Sequence, residues 1–316
     1  KLLSAGASVN HCTNDTATTG LVKACTNNNI MIVESLLASK ANVDQSTNDG
    51  SSPLYNASFH GHSHVVQLLL KANADVNHLT NIGMTPLFAA AHGGHIDVIK
   101  VLVTAKASID LRREGVSPLF IASQEGHALV VSELIAAKAG LDLRYNAGAT
   151  SLLVACLHKR SSVVALLLAA KADTEVCKSD GASPLLVASQ VGHLDVVQQL
   201  LSVKASVDRS MPNGVSPLSV SSQGGFQEVV RVLLGAKAAV NQILHKGAFP
   251  LMLAGHKNRL GVVKVLLAAK AFIDQLYNGA TTLFMAIHQD KPAIAELLIT
   301  AKASVNLSYT DGTSPL

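Results

Sequence analysis

The chain has 316 residues and a formal net charge of +4 at neutral pH, from 25 lysines and arginines against 21 aspartates and glutamates. Charged residues make up only 15% of it, well below the roughly 25% of an average soluble domain. No apolar run approaches the roughly 18 residues that a membrane-spanning helix needs. The composition therefore excludes a membrane span and predicts a soluble chain with a sparsely charged surface.

A glycine returns along the chain at intervals of 32 or 33 residues, often followed by a Ser/Thr-Pro-Leu sequence. Its positions are Gly50, Gly83, Gly115, Gly148, Gly181, Gly214, Gly247, Gly279 and Gly312. A fixed period of this size predicts stacked supersecondary units that bury their core between neighbours. Length alone would suggest two domains, but such a stack requires no domain boundary or linker.

Residues 178–210 show the predicted elements of one unit in chain order. Ser183 followed by Pro184 predicts a helix start, because the hydroxyl caps a free amide and proline has no amide to satisfy. Gly192 predicts the end of that helix in the left-handed conformation. Leucines and valines at helical spacing over 194–201 predict a second helix, and the polar stretch after Ala205 predicts a hairpin finger.

Applied to the whole chain, this pattern predicts one continuous array over residues 1–316. A partial repeat occupies 1–13 and a truncated one 309–316, and we expect the chain to be a segment of a longer array. The complete repeats lie at about 14–46, 47–79, 80–111, 112–144, 145–177, 178–210, 211–243, 244–275 and 276–308. The repeat at 145–177 has Thr150-Ser151 in place of Ser-Pro and Lys159-Arg160 in place of Gly-His, so we predict that it opens first among the internal repeats.

Several short motifs belong to one repeat pattern. They are Asp49-Gly50, Thr85-Pro86-Leu87, Gly94-His95, Val65-Val66, Leu68-Leu69-Leu70 and Ala74-Asp75-Val76-Asn77. With them the chain resembles the ankyrin repeat family over essentially its whole length. The resemblance implies an all-α solenoid of stacked helix-turn-helix units joined by β-hairpin fingers, with a concave face that usually binds another protein.

One position departs from the family pattern. The histidine that follows Thr-Pro-Leu in the family is replaced by Tyr55, Phe88, Phe120, Leu153, Leu186, Ser219, Met252 and Phe284. The hydrogen bonds that this histidine makes between repeats in the family are therefore in doubt. We predict a mostly apolar core column in their place rather than a ligand-binding one.

Lysine recurs just after the predicted second helix of most repeats. The members of this lysine column are Lys40, Lys106, Lys138, Lys171, Lys204, Lys237, Lys270 and Lys302, and Gly6 and Asn73 stand there in the other copies. Glycine and asparagine best tolerate the left-handed conformation, which predicts a helix C-terminus where lysine also meets the negative end of the helix dipole. A ridge that binds polyanions is the alternative.

Cysteines and histidines give no catalytic or metal-binding pattern. Cys25 and Cys156 share a first-helix column otherwise filled by alanine or serine, which predicts small buried side chains in a reducing, cytoplasmic compartment. His62, His95, His127 and His193 share the Gly-His column, and residues one repeat apart cannot converge on one zinc ion. We therefore expect structural turn histidines, no metal, no cofactor and no enzymatic activity.

Partner-binding residues are expected where the repeats differ, at the finger tips and near the first helices. The first candidate group is Arg112, Arg113, Arg144, Tyr145 and His158. The second candidate group is Leu244, His245, Lys246, His256, Lys257, Leu276 and Tyr277. The arginines of the first group predict a partner with an acidic or phosphorylated segment. The alternative for each residue is an ordinary solvated tip.

Three functions remain open at this point. The first is a protein-interaction scaffold without catalysis, with neither an oligomer nor a specific nucleic acid implied. The second is the recognition arm of a larger multidomain enzyme or channel. The third is a cationic array that binds polyanions or anionic membrane surfaces, which a steep salt dependence of binding would reveal.

Overall fold

The computed structural model describes residues 8–111, 116–245 and 247–307. These residues form eighteen α-helices, two in each predicted complete repeat. The predicted truncated repeat at 309–316 and most of the partial repeat lie outside the described residues. No described helix is long and apolar enough to cross a membrane.

Each repeat contributes one short first helix and one second helix of nine residues. The first helices are α1 Gly20–Thr26, α3 Pro53–Phe59, α5 Pro86–Gly93, α7 Pro118–Glu125, α9 Ser151–Leu157, α11 Pro184–Gln190, α13 Pro217–Gly224, α15 Pro250–His256 and α17 Thr282–His288. The second helices are α2 Ile30–Ala38, α4 Ser63–Lys71, α6 Ile96–Thr104, α8 Ala128–Ala136, α10 Ser161–Ala169, α12 Leu194–Ser202, α14 Gln227–Gly235, α16 Leu260–Ala268 and α18 Pro292–Thr300.

The first helices begin as the Ser/Thr-Pro motif predicts. In eight of the nine, a serine or threonine accepts a hydrogen bond from the backbone amide three residues later, as Ser52 does from Tyr55 and Thr150 from Leu153. This bond satisfies one of the free amides of a helix N-terminus. The exception is α15, where Phe249 precedes Pro250 and makes no side-chain cap.

The lysine column lies in the left-handed conformation just after each second helix. All eight lysines and Asn73 have φ between 60° and 69°, and all eight lysine side chains are exposed. The predicted helix C-terminus is therefore confirmed. The backbone at this position needs a residue that turns the chain, and lysine occupies it with a Cβ that glycine would not carry.

By contacts the chain divides into two compact units. Unit 1 comprises residues 1–146 with 169–172, and unit 2 comprises 147–168 with 173–316. In unit 1 the first helices α1, α3, α5 and α7 pack successively on one another, and α2, α4, α6 and α8 do the same. In unit 2, α9, α11, α13, α15 and α17 form one such layer and α12, α14, α16 and α18 another.

The core of each unit lies between its two helix layers. It is built mainly from leucine and valine, and side chains such as Leu54, Val65 and Leu69 are completely buried. In the column that replaces the family histidine, the residues from Phe88 to Met252 are buried. Tyr55 and Phe284 are half-buried. This distribution confirms a mostly apolar core column.

The fingers are closed by tight turns rather than by strand ladders. In the second finger the Thr47 amide donates to the Ser51 carbonyl at 3.1 Å and the Gly50 amide donates to the Thr47 carbonyl at 2.8 Å. Only two isolated β-bridges, Cys12 with Thr19 and Tyr277 with Ala280, occur in the described part of the chain. Gly50 has φ +82°, and a Cβ there would lie 2.6 Å from the Asn81 backbone nitrogen of the next finger. Both the turn and the approach of the neighbouring finger require glycine.

In most of the described fingers, an acidic or amide side chain at the start of the finger joins it to the next repeat. The oxygen of Asn77 accepts from the Ser108 amide at 2.8 Å, and that of Asp208 accepts from the Ala239 amide at 2.9 Å. The same bond recurs from Asn10 to Asn42, from Asp44 to Asp75, from Asn241 to Phe272 and from Asp274 to Ser304. The Ala-x-Val-Asn/Asp motif is therefore a contact between repeats, since it satisfies backbone amides that no helix uses.

Candidate functional site

The histidines of the Gly-His column hold neighbouring repeats together. The Nε2 atoms of His62, His95 and His127 lie 3.1, 2.9 and 3.0 Å from the carbonyl oxygens of Thr26, Phe59 and His92. A carbonyl only accepts, so each Nε2 carries the proton and donates it. The acceptors lie at the C-terminal ends of first helices, where carbonyls lack helical partners. These three histidines are structural, and no cluster able to hold a metal ion occurs among the described residues.

The two cysteines predicted to be buried are inaccessible and protonated. Cys25 and Cys156 are completely buried. Burial raises the pKa of the Cys25 thiol to about 12 and raises that of the Cys156 thiol as well. Since the thiolate is the nucleophilic form of cysteine, neither side chain is poised for nucleophilic chemistry at neutral pH.

The structure describes the first candidate group only in part. Arg112 and Arg113 lie outside the described residues. Arg144 is an exposed residue of unit 1, whereas His158 is an exposed residue of unit 2 that follows α9. The Tyr145 ring is half-buried and packs on the ring of Phe120, with centroids 5.1 Å apart and planes tilted by 60°. Packing on Phe120 gives Tyr145 a supported position at its finger.

The second candidate group lies within unit 2 and separates into two parts. Leu244, His245, Leu276 and Tyr277 lie on two successive fingers. His256 and Lys257 are exposed at the far end of α15, about 9 Å along the helix from its first residue. Lys246 lies outside the described residues. The fingers and the helix end therefore belong to opposite edges of the first-helix layer.

The finger part of this group exposes apolar side chains on an ordered backbone. The His245 amide donates to the Asn213 carbonyl at 2.8 Å, which ties this finger to the preceding one. Leu276 is 52% exposed, and Ile243, which sequence reasoning did not select, is 57% exposed. The Tyr277 amide is bonded within its own finger to the Ala280 carbonyl at 2.9 Å. Unit 2 thus presents exposed leucine and isoleucine beside tyrosine on tightly turned fingers.

Sequence reasoning missed an apolar pocket in unit 1, which we call the aromatic pocket. It lies across α3, α5 and α7 and has a volume of about 230 Å³. Its lining residues are Tyr55, Phe59, Met84, Phe88, Ala89, His92 and Ile121. The rings of Tyr55 and Phe59 are stacked with centroids 6.5 Å apart, and those of Phe59 and His92 at 6.2 Å. Phe59 is 42% exposed. It lies outside the column that replaces the family histidine, so the prediction of an apolar core column did not identify it.

Next to the aromatic pocket lies a polar groove between the first two fingers and α1 and α3. Its lining includes Asp15, Thr18, Lys23, Asn48 and Asp49. The pKa of the Asp49 carboxyl is lowered, chiefly because the Thr47 hydroxyl donates a hydrogen bond to it. The pKa of the Tyr55 phenol is raised by burial and then by the charge of Asp49. The ionised Asp49 therefore acts electrostatically on the wall of the aromatic pocket.

A family model described as ankyrin repeats in three copies matches residues 1–80, 72–147, 152–243 and 218–309. No curated protein matches the chain. Among solved structures, the ankyrin repeat domain of human ASB11 is similar, with 27% sequence identity and a TM-score of 0.65. That match covers 70% of this chain and 99% of the human domain.

Proposed function

Because the chain belongs to the ankyrin repeat family, whose repeats are generally protein–protein interaction modules, we propose that it is a scaffold that binds a partner protein without catalysis. The partner is bound through the first-helix face and the finger tips. The observation that carries this proposal is the pair of neighbouring fingers in unit 2 that expose Ile243 and Leu276 beside Tyr277. Exposed apolar and aromatic side chains on a rigid backbone are typical of interface anchors.

Both candidate groups remain part of the proposal. The second group contributes in two places. On the fingers, Leu244, Leu276 and Tyr277 supply the anchors and His245 and Lys246 their polar rim. His256 and Lys257 contact the partner at the opposite edge of the first-helix layer. The first group consists of Arg112, Arg113, Arg144, Tyr145 and His158. Its arginines supply guanidinium groups for an acidic segment, since arginine pairs with carboxylates through two parallel hydrogen bonds. Tyr145 supports this role because its packing on Phe120 reduces the conformational entropy that binding would otherwise remove.

We place this binding role in the cytoplasm. The cysteines of the described residues form no disulfide, and Cys25 and Cys156 fill small sites in the core. Free thiols are typical of a reducing compartment, where disulfides rarely persist. The lysine column needs no polyanion to explain it, because its conformation is that of a helix C-terminus in every described copy.

The test is affinity capture of partner proteins with the whole chain and two matched variants. The double variant Leu276→Ser, Tyr277→Ala removes the anchors from the finger, and we expect it to weaken binding at least about tenfold. The control is Leu129→Ser, which removes an even more exposed leucine from the second helix α8. Thermal unfolding should be the same for all three proteins. Equal capture by the finger variant and the wild type would contradict the proposed surface.

A further inference from the structure

The aromatic pocket of unit 1 has the size of a site for one or two side chains. Its volume of about 230 Å³ lies below the roughly 300–1,000 Å³ of pockets that hold small-molecule ligands and cofactors. Ala89 forms part of its lining, and this small side chain leaves space that a larger residue on α5 would fill. The lining is aromatic and aliphatic, so an inserted side chain gains from burial rather than from hydrogen bonds.

The polar groups near the aromatic pocket differ between its finger side and its turn side. On the finger side, Asp49 is held ionised by the hydroxyls of Thr47 and Ser51 and by the Ser51 amide. On the turn side are His92 and, beside Phe59, His60, whose ring centroid lies 5.2 Å from that of Phe59. The pKa of His60 is lowered by burial and then by the charges of His62 and His95, so His60 is neutral at neutral pH.

The polar groove extends the negative edge beyond Asp49. Asp15 lies on the neighbouring finger, and its carboxylate is also held ionised, because hydrogen bonds from Thr13 and Thr16 lower its pKa. Lys23 of α1 lines the same groove and offsets one of the two charges. The finger side therefore keeps a net negative charge next to an apolar cavity.

We propose that unit 1 binds an extended segment of a partner protein in which a large apolar side chain enters the aromatic pocket and a neighbouring lysine or arginine pairs with Asp49. This inference rests on the proposed binding role and adds the chemistry of the bound segment. It differs from the acidic segment proposed for Arg144, so the two surfaces select different sequences. Burial of the apolar side chain supplies most of the affinity, because exposed ion pairs contribute little.

The experiment selects binders for the whole chain from a random short-peptide library displayed on phage. Among the enriched peptides, we expect those that Phe59→Ser no longer binds to combine a leucine, methionine or aromatic residue with a lysine or arginine within three positions. Synthetic peptides from the selection are then measured by fluorescence anisotropy. If the peptides that Phe59→Ser no longer binds are acidic, or lack a large apolar residue, the proposal is overturned.

Three variants separate the contributions of the pocket. Ala89→Leu fills the cavity and should weaken the peptides at least about tenfold. Phe59→Ser should weaken the peptides at least about fivefold. Because Phe59 is exposed, this variant still tests the pocket if the buried change Ala89→Leu disturbs folding. Asp49→Asn should weaken only the peptides that carry lysine or arginine, by about two- to fivefold. Leu129→Ser should leave all affinities unchanged, and unchanged affinity for Ala89→Leu would refute the pocket.

Two further outcomes have defined meanings. If sedimentation shows a dimer of the wild type that Ala89→Leu dissociates, a second copy of the chain occupies the pocket and the proposal is wrong. If no peptide of the expected kind is enriched while the Leu276→Ser, Tyr277→Ala variant still loses its partner, this inference fails and the proposed function stands. If every variant still binds both the partner and the peptides, the proposed function and this inference are both contradicted.

Discussion

The repeats at 178–210 and 145–177 have the same two helices but different signals at their ends. In the first, Ser183-Pro184 begins α11 and Gly192 follows it with φ +69°. In the second, Thr150-Ser151 begins α9, and Lys159 occupies the glycine position with φ +59°. Both first helices are nevertheless seven residues long, and each buries a pair of leucines, Leu185 and Leu186 in α11 and Leu152 and Leu153 in α9. Packing against neighbours therefore imposes the same backbone on a sequence that does not favour it locally.

The difference between the two repeats is one of strain. A left-handed residue with a Cβ costs roughly 1–2 kcal/mol relative to glycine, and a proline at the first helical position reduces the entropy of the unfolded chain. The repeat at 145–177 carries the strain of the left-handed Lys159 and lacks the proline that would stabilise the start of its first helix. The division of the chain by contacts also falls within this repeat.

Exchanging the turn residues should produce the largest effect. A Cβ at Gly192 would lie 2.4 Å from the Phe226 ring of the next repeat, and the residue has positive φ. We therefore expect Gly192→Ala to lower the free energy of unfolding by about 2 kcal/mol or more. The matched change Lys159→Gly should raise it by up to about 1 kcal/mol. Denaturant unfolding measures both, and a stabilising Gly192→Ala would show that the turn does not need glycine.

Hydrogen exchange compares the two repeats directly. Because stability in a repeat protein is approximately a sum of repeat and neighbour terms, we expect amides of α9 and α10 to exchange about tenfold faster than those of α11 and α12, which corresponds to about 1.4 kcal/mol. The double variant Ser151→Pro, Lys159→Gly should reduce this difference. Equal protection of 145–177 and 178–210 in the wild type would contradict the predicted weak repeat.

Changes in the lysine column should have the smallest effect on stability, and the same change can be made in several repeats. Lys138, Lys171 and Lys204 have φ of 68°, 66° and 64°. Changing each to glycine should relieve strain and stabilise the chain by a few tenths to about 1 kcal/mol. The gain is reduced by the lost attraction between lysine and the helix C-terminus. A fall in the thermal midpoint for all three variants would mean that this attraction outweighs the strain.

Much of the candidate site could not be read from the sequence. The aromatic column at Tyr55 and Phe88 predicts core, and Phe88 is indeed buried, yet the small side chain of Ala89 leaves a cavity beside it. The extent of such a cavity depends on how three helices pack, which periodicity does not encode. The exposed Ile243 was missed for a related reason, since an isoleucine at helical or strand spacing is usually buried.

The sequence by itself determined the repeat period, the helix starts and ends, and the left-handed lysine column, because each depends on residues close together in the chain. The tertiary structure decided which side chains join one repeat to the next. His95 reaches the Phe59 carbonyl, and Asn77 reaches the Ser108 amide, each about one repeat away. These bonds arise only when helices stack, and the same stacking places an apolar pocket beside an ionised carboxylate in unit 1.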